Sequence, residues 1–478
     1  MKAEGRTQVI ERLRIVGSLG ALALFGFLAT GCSLRGSSSV TTSSGPYQVR
    51  VWRVDQDVDP LKSSISNFNS DNQGIAQVTY VKKSSQGYEL SALKSLAART
   101  GPDIWSIPNT WLGDHVARIQ PLPDTYFNNL ESTATLGAVD AVKKLYPAGI
   151  AEQLISTDGK SVLGAPGGVD VLKLYYNQDI FDSAINEFKL SLGDNFDDSV
   201  FTPVRQLLSN PPDTWSTLDN QVKYLTKRSG NTIIRSAIAM GTADNVPAGE
   251  ETLQLLMMQD GTRIVSSDRT RAMFHITTST SSLSTTRPGA NALNYFASFS
   301  NPNKPTYSWN PSMPQALDAF AQGKVAMIIG FSDVGDTLKI KYPNFHFDTA
   351  PVPQLTLNGL QKDVNLIKFD VETVTKSADS YEASWRFMQR YTQPDVMNDV
   401  ANVQGRQTPY LADLTTRSDS FPQKQILSGQ AVFEKNRDQF DGAFRQMIVD
   451  VSQNGIPVDQ SLDNAAEVVN GLLATPDE

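Results

Sequence analysis

Between Tyr47 and Ile107 the spacing of apolar residues changes period four times, and this alternation narrows the fold more than any other feature of the chain. Tyr47 to Val54 alternates and is rich in Val, Tyr and Trp, the pattern of a half-buried strand. Asp59-Pro60 offers an N-cap and a first-turn proline, and Leu61, Ile65 and Phe68 then recur at i, i+4 and i+7 as one helix face. Ala76 to Val81 predicts a second strand. Leu90, Leu93 and Ala97 mark a second helix ending before Gly101, and Asp103 to Ile107 a third strand. Strands joined through helices pair in parallel, so the expected class is α/β.

The same alternation returns further on. Val162 to Tyr176 carries β-rich stretches around Gly167-Gly168. Thr214-Trp215 opens a helix with Leu218, Val222 and Leu225 on one face, and Leu253, Leu256 and Met257 end another before Gly261. Leu317 and Phe320 close a short helix at Gly323. The uninterrupted run Val325 to Ile329 fits a strand buried on both faces. Ala383, Phe387 and Tyr391 repeat on a helix that Pro394 interrupts, and the Gly/Ser/Thr-rich stretch Thr277 to Ala290 predicts a long surface loop. A chain of 478 residues exceeds what one core holds, so two or more lobes are expected.

The N-terminus is built differently. Lys2, Arg6, Arg12 and Arg14 precede an apolar run from Ile15 to Ala29, shorter than the roughly 20 residues a membrane-spanning helix needs. Basic, apolar, then small residues is the order of a secretory signal, assigned to residues 1–31. Leu28-Ala29-Thr30-Gly31-Cys32 resembles the bacterial lipoprotein lipobox, with Ala29 in place of the usual leucine. The resemblance implies acylation of Cys32, which would become the new N-terminus. Cys32 is the single cysteine, so the exported body forms no internal disulfide. The alternative is an uncleaved anchor with a chance cysteine. Residues 32–46, rich in Ser, Thr and Gly, read as a flexible tether.

Four further stretches fall in the order of one family. They are Gly164-Ala165-Pro166-Gly167-Gly168-Val169-Asp170 running into Leu174-Tyr175-Tyr176-Asn177; Pro212-Asp213-Thr214-Trp215; Gly323-Lys324-Val325-Ala326-Met327-Ile328-Ile329-Gly330; and Ala350-Pro351-Val352-Pro353. Together they resemble the extracellular solute-binding proteins of ABC importers, in the carbohydrate-binding, maltodextrin-type branch. The resemblance implies a two-lobed, periplasmic-binding-protein-like α/β fold with discontinuous lobes and a hinged ligand cleft. Lobe one would hold 47–165 and 365–410, and lobe two 166–364 and 411–478. A closing cleft suits capture, because it encloses a polar solute and shifts a two-state equilibrium.

A sugar offers hydroxyls and flat C–H faces, so its site needs carboxylates, amides or arginine together with aromatic rings. Of six tryptophans, Trp111 follows the third strand at its carboxyl end, where ligands of open α/β sheets sit, and is either a cleft or a core residue. Asn109 beside it is a ligand contact or a turn residue. Trp309, between Asn303-Lys304-Pro305 and Asn310-Pro311, is a sugar platform or a plug beneath a loop. Trp52, Trp105, Trp215 and Trp385 read as core. Asp55 follows the first strand as a ligand contact or helix cap. The resemblance adds Asp170 at an acidic crossover position, against a hinge or surface carboxylate. It also adds Phe331 and Asp333 after the Val325–Gly330 strand, against packing and capping, and Arg406 in Gln404-Gly405-Arg406-Gln407, against a surface salt bridge.

Other chemistries find little support. Lys and Arg total 42 against 50 Asp and Glu, so nothing electrostatic drives nucleic-acid binding. His115, His275 and His346 form no zinc pattern, and no GxSxG elbow, P-loop or GxGxxG is present. No catalytic residue, metal or cofactor is expected. The expected partners are a sugar or oligosaccharide, an ABC permease, and the membrane through the lipid, with the chain monomeric on the outer face of the cell membrane. The alternatives are an extracellular glycan-active enzyme, with two distant carboxylates, and a solute-sensing receptor module.

Overall fold

Strands form where the alternation places them. In the computed structural model, which describes residues 46–54, 61–281, 284–357, 360–361 and 363–476, Tyr47–Arg53 pairs in parallel with Ala76–Lys82 and with Ile104–Pro108. The helices Lys62–Asp71 and Tyr88–Ala97 make the two crossovers. The expected signal, the tether with Cys32, the Asp59-Pro60 cap and Asp55 all lie outside the described residues.

The long strand Asn365–Thr375 completes this first sheet. It runs antiparallel to Ile104–Pro108, Ile119–Gln120 and Ala165–Val171, and parallel to Gly429–Gln430, giving seven strands. A second sheet of five strands has the order Asp348–Pro351, Lys173–Tyr176, Val325–Gly330, Thr232–Ile238, Lys227–Ser229. All six residues of Val325–Gly330 are buried, as the apolar run predicts.

Each sheet has its own core. One joins Val49, Trp105, Val169 and Val171 to Ile367–Val374, Phe387, Tyr410 and Ile426. The other joins Leu172, Leu253, Met327 and Leu366 to Val432, Phe444 and Val469, with a satellite cluster around Trp309 and Phe320. The chain therefore crosses between lobes at Val171/Leu172, at Leu366/Ile367 and over 427–432. These points differ from the expected boundaries at 165/166 and 410/411. Ala165–Val171 stays with lobe one because it is hydrogen-bonded to the central strand as far as Val171, and 411–427 because Leu414 and Ile426 sink into the first core.

Three local expectations change. Leu90 points outward at 57% exposure, and the helix is instead anchored by Tyr88 and Ala92. The Tyr88 hydroxyl donates to the carbonyls of Trp52 and Ser106, which turns that face inward. Residues 277–290 are not one loop: Thr278–Ser281 and Ser284–Thr286 form a hairpin, and Pro288 opens the helix Pro288–Ser298 from its first turn. Pro394 likewise starts a new helix, after Tyr381–Tyr391 has ended.

Candidate functional site

The carboxyl ends of the strands in the two sheets supply the site. In lobe two, Val325–Gly330 ends at Phe331, and Ser332 begins the helix Ser332–Lys341. In lobe one, Ile104–Pro108 ends in the turn Asn109–Trp111. Between them run Ala165–Val171 and Asn365–Thr375, whose register sets Asp170 opposite Lys368.

The central strand carries a charge on every second residue within an otherwise buried sequence: Lys368, Asp370, Glu372. Each has a different partner. The Lys368 ammonium donates to Glu251 Oε1 at 2.7 Å and lies 4.8 Å above the Phe331 ring. Burial works against the charged lysine, but Glu251, Glu434 and Asp441 outweigh it, and its pKa is raised. Asp370 accepts from Arg406 Nη1 at 2.6 Å. That contact raises the arginine against its burial, with a smaller contribution from Asp170. Glu372 is fully buried; it accepts from Ser106 Oγ and lies 3.8 Å from Arg53 Nη2. Arg53 also donates to the Tyr391 hydroxyl at 2.7 Å.

Arg406 is held close to the crossover by its own loop. Gln407 and Val169 exchange both backbone hydrogen bonds, and Gly168 lacks the Cβ that would sit 3.0 Å from Arg406 Cβ. Phe331 is buried, and its carbonyl accepts from the Tyr175 hydroxyl at 2.7 Å. Asp333 is exposed by area, yet crowding by the surrounding atoms raises its pKa, and the negative charge of Asp170 adds to this. The Asp170 charge thus acts on both Asp333 and Arg406.

On the lobe-one side, Trp111 is 9% exposed and packs among Tyr88, Trp105 and His115, with the Arg437 guanidinium 5.8 Å from its ring. Its indole Nε1 is buried without a hydrogen bond. Asn109 is buried too; its Oδ1 accepts from Phe369 N, while its Nδ2 makes no bond. The short helix that follows, Leu112–His115, touches the segment just after the third crossover. Gly113 approaches so closely that a Cβ there would stand 2.1 Å from the Glu434 carbonyl oxygen. Asp114 accepts from the backbone N–H groups of Asn436 and Arg437, capping the helix Arg437–Ser452 from the other lobe. Glu434 is buried, and its carboxyl is pushed well above its ordinary pKa, first by burial and then by Asp441.

Trp309 does not join this group. It is 0% exposed, its Nε1 donates to Asn245 Oδ1 at 3.0 Å, and it sits among Ala316, Phe320 and Ile328. It is the plug beneath the loop, since both ring faces are already covered by protein. Asp170 is buried with its carboxylate oxygens engaged by the chain itself. The site groups that sequence reasoning misses are Lys368, Asp370, Glu251, Glu434 and Arg437. For the first two a signal existed in the period-two charges of Asn365–Thr375; for the others none is visible.

Among the described residues, no three His, Cys, Asp or Glu side chains form a group that could hold a metal ion, and no helix is long and apolar enough to cross a membrane. A surface hollow of about 620 Å³ lies at the opposite end of the second sheet, between Asn177, Lys339, His346 and Asp348. The register sets Asp348 opposite Tyr176 there, while Gly330 and Lys173 meet at the end that carries Phe331.

The sequence profile of the bacterial extracellular solute-binding proteins matches residues 63–426. The chain belongs to that family. Among curated proteins no relative is found. Solved structures with the same fold include a cyclo/maltodextrin-binding protein complexed with maltotetraose, at 15% identity and TM-score 0.66, covering 91% of this chain and 100% of that one. MalE from Xanthomonas citri gives 18% identity and TM-score 0.64, over 89% and 97% of the two chains. The cyclic α-maltosyl-1,6-maltose binding protein from Arthrobacter globiformis gives 18% and 0.63, over 90% and 99%. This solute-binding protein thus shares their two-lobed α/β architecture over 89–91% of its length.

Proposed function

We propose that this solute-binding protein captures a carbohydrate between its lobes and delivers it to an ABC permease, without turning it over. The observation that carries the reading is the set of groups beside the strands that cross between the lobes: the Phe331 ring, held under the Lys368 ammonium, and Asp333 on lobe two, and the Arg406–Asp370 pair and Trp111 on lobe one. Carboxylates and arginine exchange hydrogen bonds with hydroxyls, and a ring covers a sugar's C–H face. The neighbouring structures support the choice of ligand, since their bound or named solutes include maltotetraose, α-D-tagatose and mannotriose. Contact is assigned to Asp333, Arg406, Phe331 and Trp111, with Asn109 offering its Nδ2–H to a sugar oxygen. Asp55, outside the described residues, is kept as a ligand contact on its sequence position alone.

The reading extends to the N-terminus: cleavage after Gly31, acylation of Cys32, and a monomeric body held by residues 32–46 on the outer face of the membrane. Isothermal calorimetry of the purified protein against a panel of mono- and oligosaccharides tests the ligand class. Heat with at least one sugar, lost in Asp333→Asn, is expected. Silence toward all sugars beside binding of an amino acid or peptide refutes it. For the anchor, Cys32→Ser should move the protein from the membrane to the soluble fraction; a variant that stays with the membrane rejects lipidation.

A further inference from the structure

We infer that Asp170 is a positioning residue, which together with Lys368 sets the Phe331–Asp333 lip in place before any solute arrives. This rests on the reading that the solute lies between the lobes, and it alters the part that Asp170 plays there.

An ionised carboxylate has about four acceptor positions. Most of those on Asp170 are taken. Oδ1 accepts from Val171 N at 2.9 Å and Ser332 Oγ at 2.7 Å, with Lys173 Nζ at 3.3 Å. Oδ2 accepts from Ser332 N at 2.8 Å. Lys173 also donates to Ser332 Oγ, closing the set into a ring of contacts. Little is left to offer a sugar hydroxyl, and the residue is 7% exposed.

The geometry instead suits a joint between lobes. Asp170 stands on the last lobe-one strand before the first crossover, and Ser332 supplies the first N–H of a ten-residue lobe-two helix. A negative charge at that end satisfies orphan donors and complements the helix dipole. On the neighbouring strand, opposite Asp170, Lys368 reaches the same lip: its ammonium lies over the ring of Phe331 and holds Glu251 of lobe two. Lys368 lies next to the second crossover, at Leu366/Ile367. Two adjacent strands, each about to leave lobe one, therefore grip consecutive residues of the lobe-two lip. Phe331 and Asp333 flank the gripped serine, so their directions are fixed in the empty protein. A prearranged lip lowers the ordering cost of capture.

Two readouts test this. In the unliganded protein, hydrogen exchange at the amides of residues 332–335 should accelerate in Asp170→Asn and Ser332→Ala, with Ser332→Thr restoring protection. Lys368→Met, which keeps the stem over Phe331 and removes the charge, should accelerate the same amides. In sugar titrations, each of Asp170→Asn and Ser332→Ala should weaken binding by about tenfold or more, as for loss of a charge-assisted hydrogen bond. The double variant should be no weaker than the worse single one, because both remove the same joint. Unchanged exchange at 332–335 overturns the proposal. So do additive losses of affinity, which would mean that Asp170 touches the sugar itself. Should Asp170→Asn fail to fold, the half-buried Ser332→Ala decides by exchange alone. A wild-type protein that binds no sugar defeats the proposed ligand and leaves the exchange result to judge the joint.

Discussion

Replacing Trp309 with alanine separates a core residue from a sugar platform. The indole is fully buried among Ala316, Phe320, Val325 and Ile328, so truncation opens a cavity in the second lobe. Trp-to-Ala changes in cores cost about 3–5 kcal/mol. The hydrogen-bond part adds little, because Asn245 Oδ1, which accepts from the indole, still accepts from Thr242 Oγ1 at 2.5 Å. For a lobe of about 240 residues unfolding as a unit, the unfolding entropy is about 0.5 kcal/mol per degree, which converts that cost into a melting shift of about 6–10 °C. Joint unfolding of both lobes would give about half of that. Scanning calorimetry measures the shift, and sugar titration well below the transition measures affinity, which should match the wild type. A variant that melts within about 1 °C of wild type but has lost its sugar would refute the burial argument and return Trp309 to the cleft.

Glu372→Gln should destabilise the protein by about 3–5 kcal/mol in urea, since it leaves Arg53 buried with only part of its compensation. The pair Arg53→Met with Glu372→Leu should recover most of that, and failure to recover would show that the ion pair itself stabilises the lobe. Glu434 has a folded pKa above its unfolded value, so its contribution to stability is fully present below about pH 4 and is lost as pH rises through the folded pKa. Glu434→Gln should therefore flatten the fall of the urea midpoint with rising pH above about pH 5, gaining stability at neutral pH and almost none at pH 4; an unchanged pH profile would contradict the assignment. Asp114→Ala removes the cap on Arg437–Ser452 and should cost about 1 kcal/mol, read as a lower urea midpoint with the same slope.

Local chemistry alone determined a good deal of this protein. Period-two and period-3.6 patterns located the first three strands and their helices, because burying one face is a requirement that each segment meets by itself. The same holds for the Thr214 cap before Trp215, whose hydroxyl accepts from Thr217 N, and for the wholly buried Val325–Gly330. Phe331 and Asp333 follow the carboxyl end of that strand, as the order of motifs implied. What the tertiary structure decided are the pairings between residues far apart in the chain. Trp309 in polar loop sequence and Trp111 after a strand looked alike as candidates. Both are buried, Trp309 among Asn245 and Phe320 and Trp111 among Tyr88, Trp105 and His115 with Arg437 beside its ring, and no local pattern foretold either set of neighbours. Asp170 read as a ligand contact or a hinge carboxylate, and the partner that its oxygens have in the fold, Ser332, stands 162 positions later. The reason is physical. A segment's period reports how one face meets the interior, whereas a carboxylate or an indole does its work through whichever partner the fold carries to it. That partner is set by register between distant strands, such as Asp170 opposite Lys368, and no local pattern encodes it.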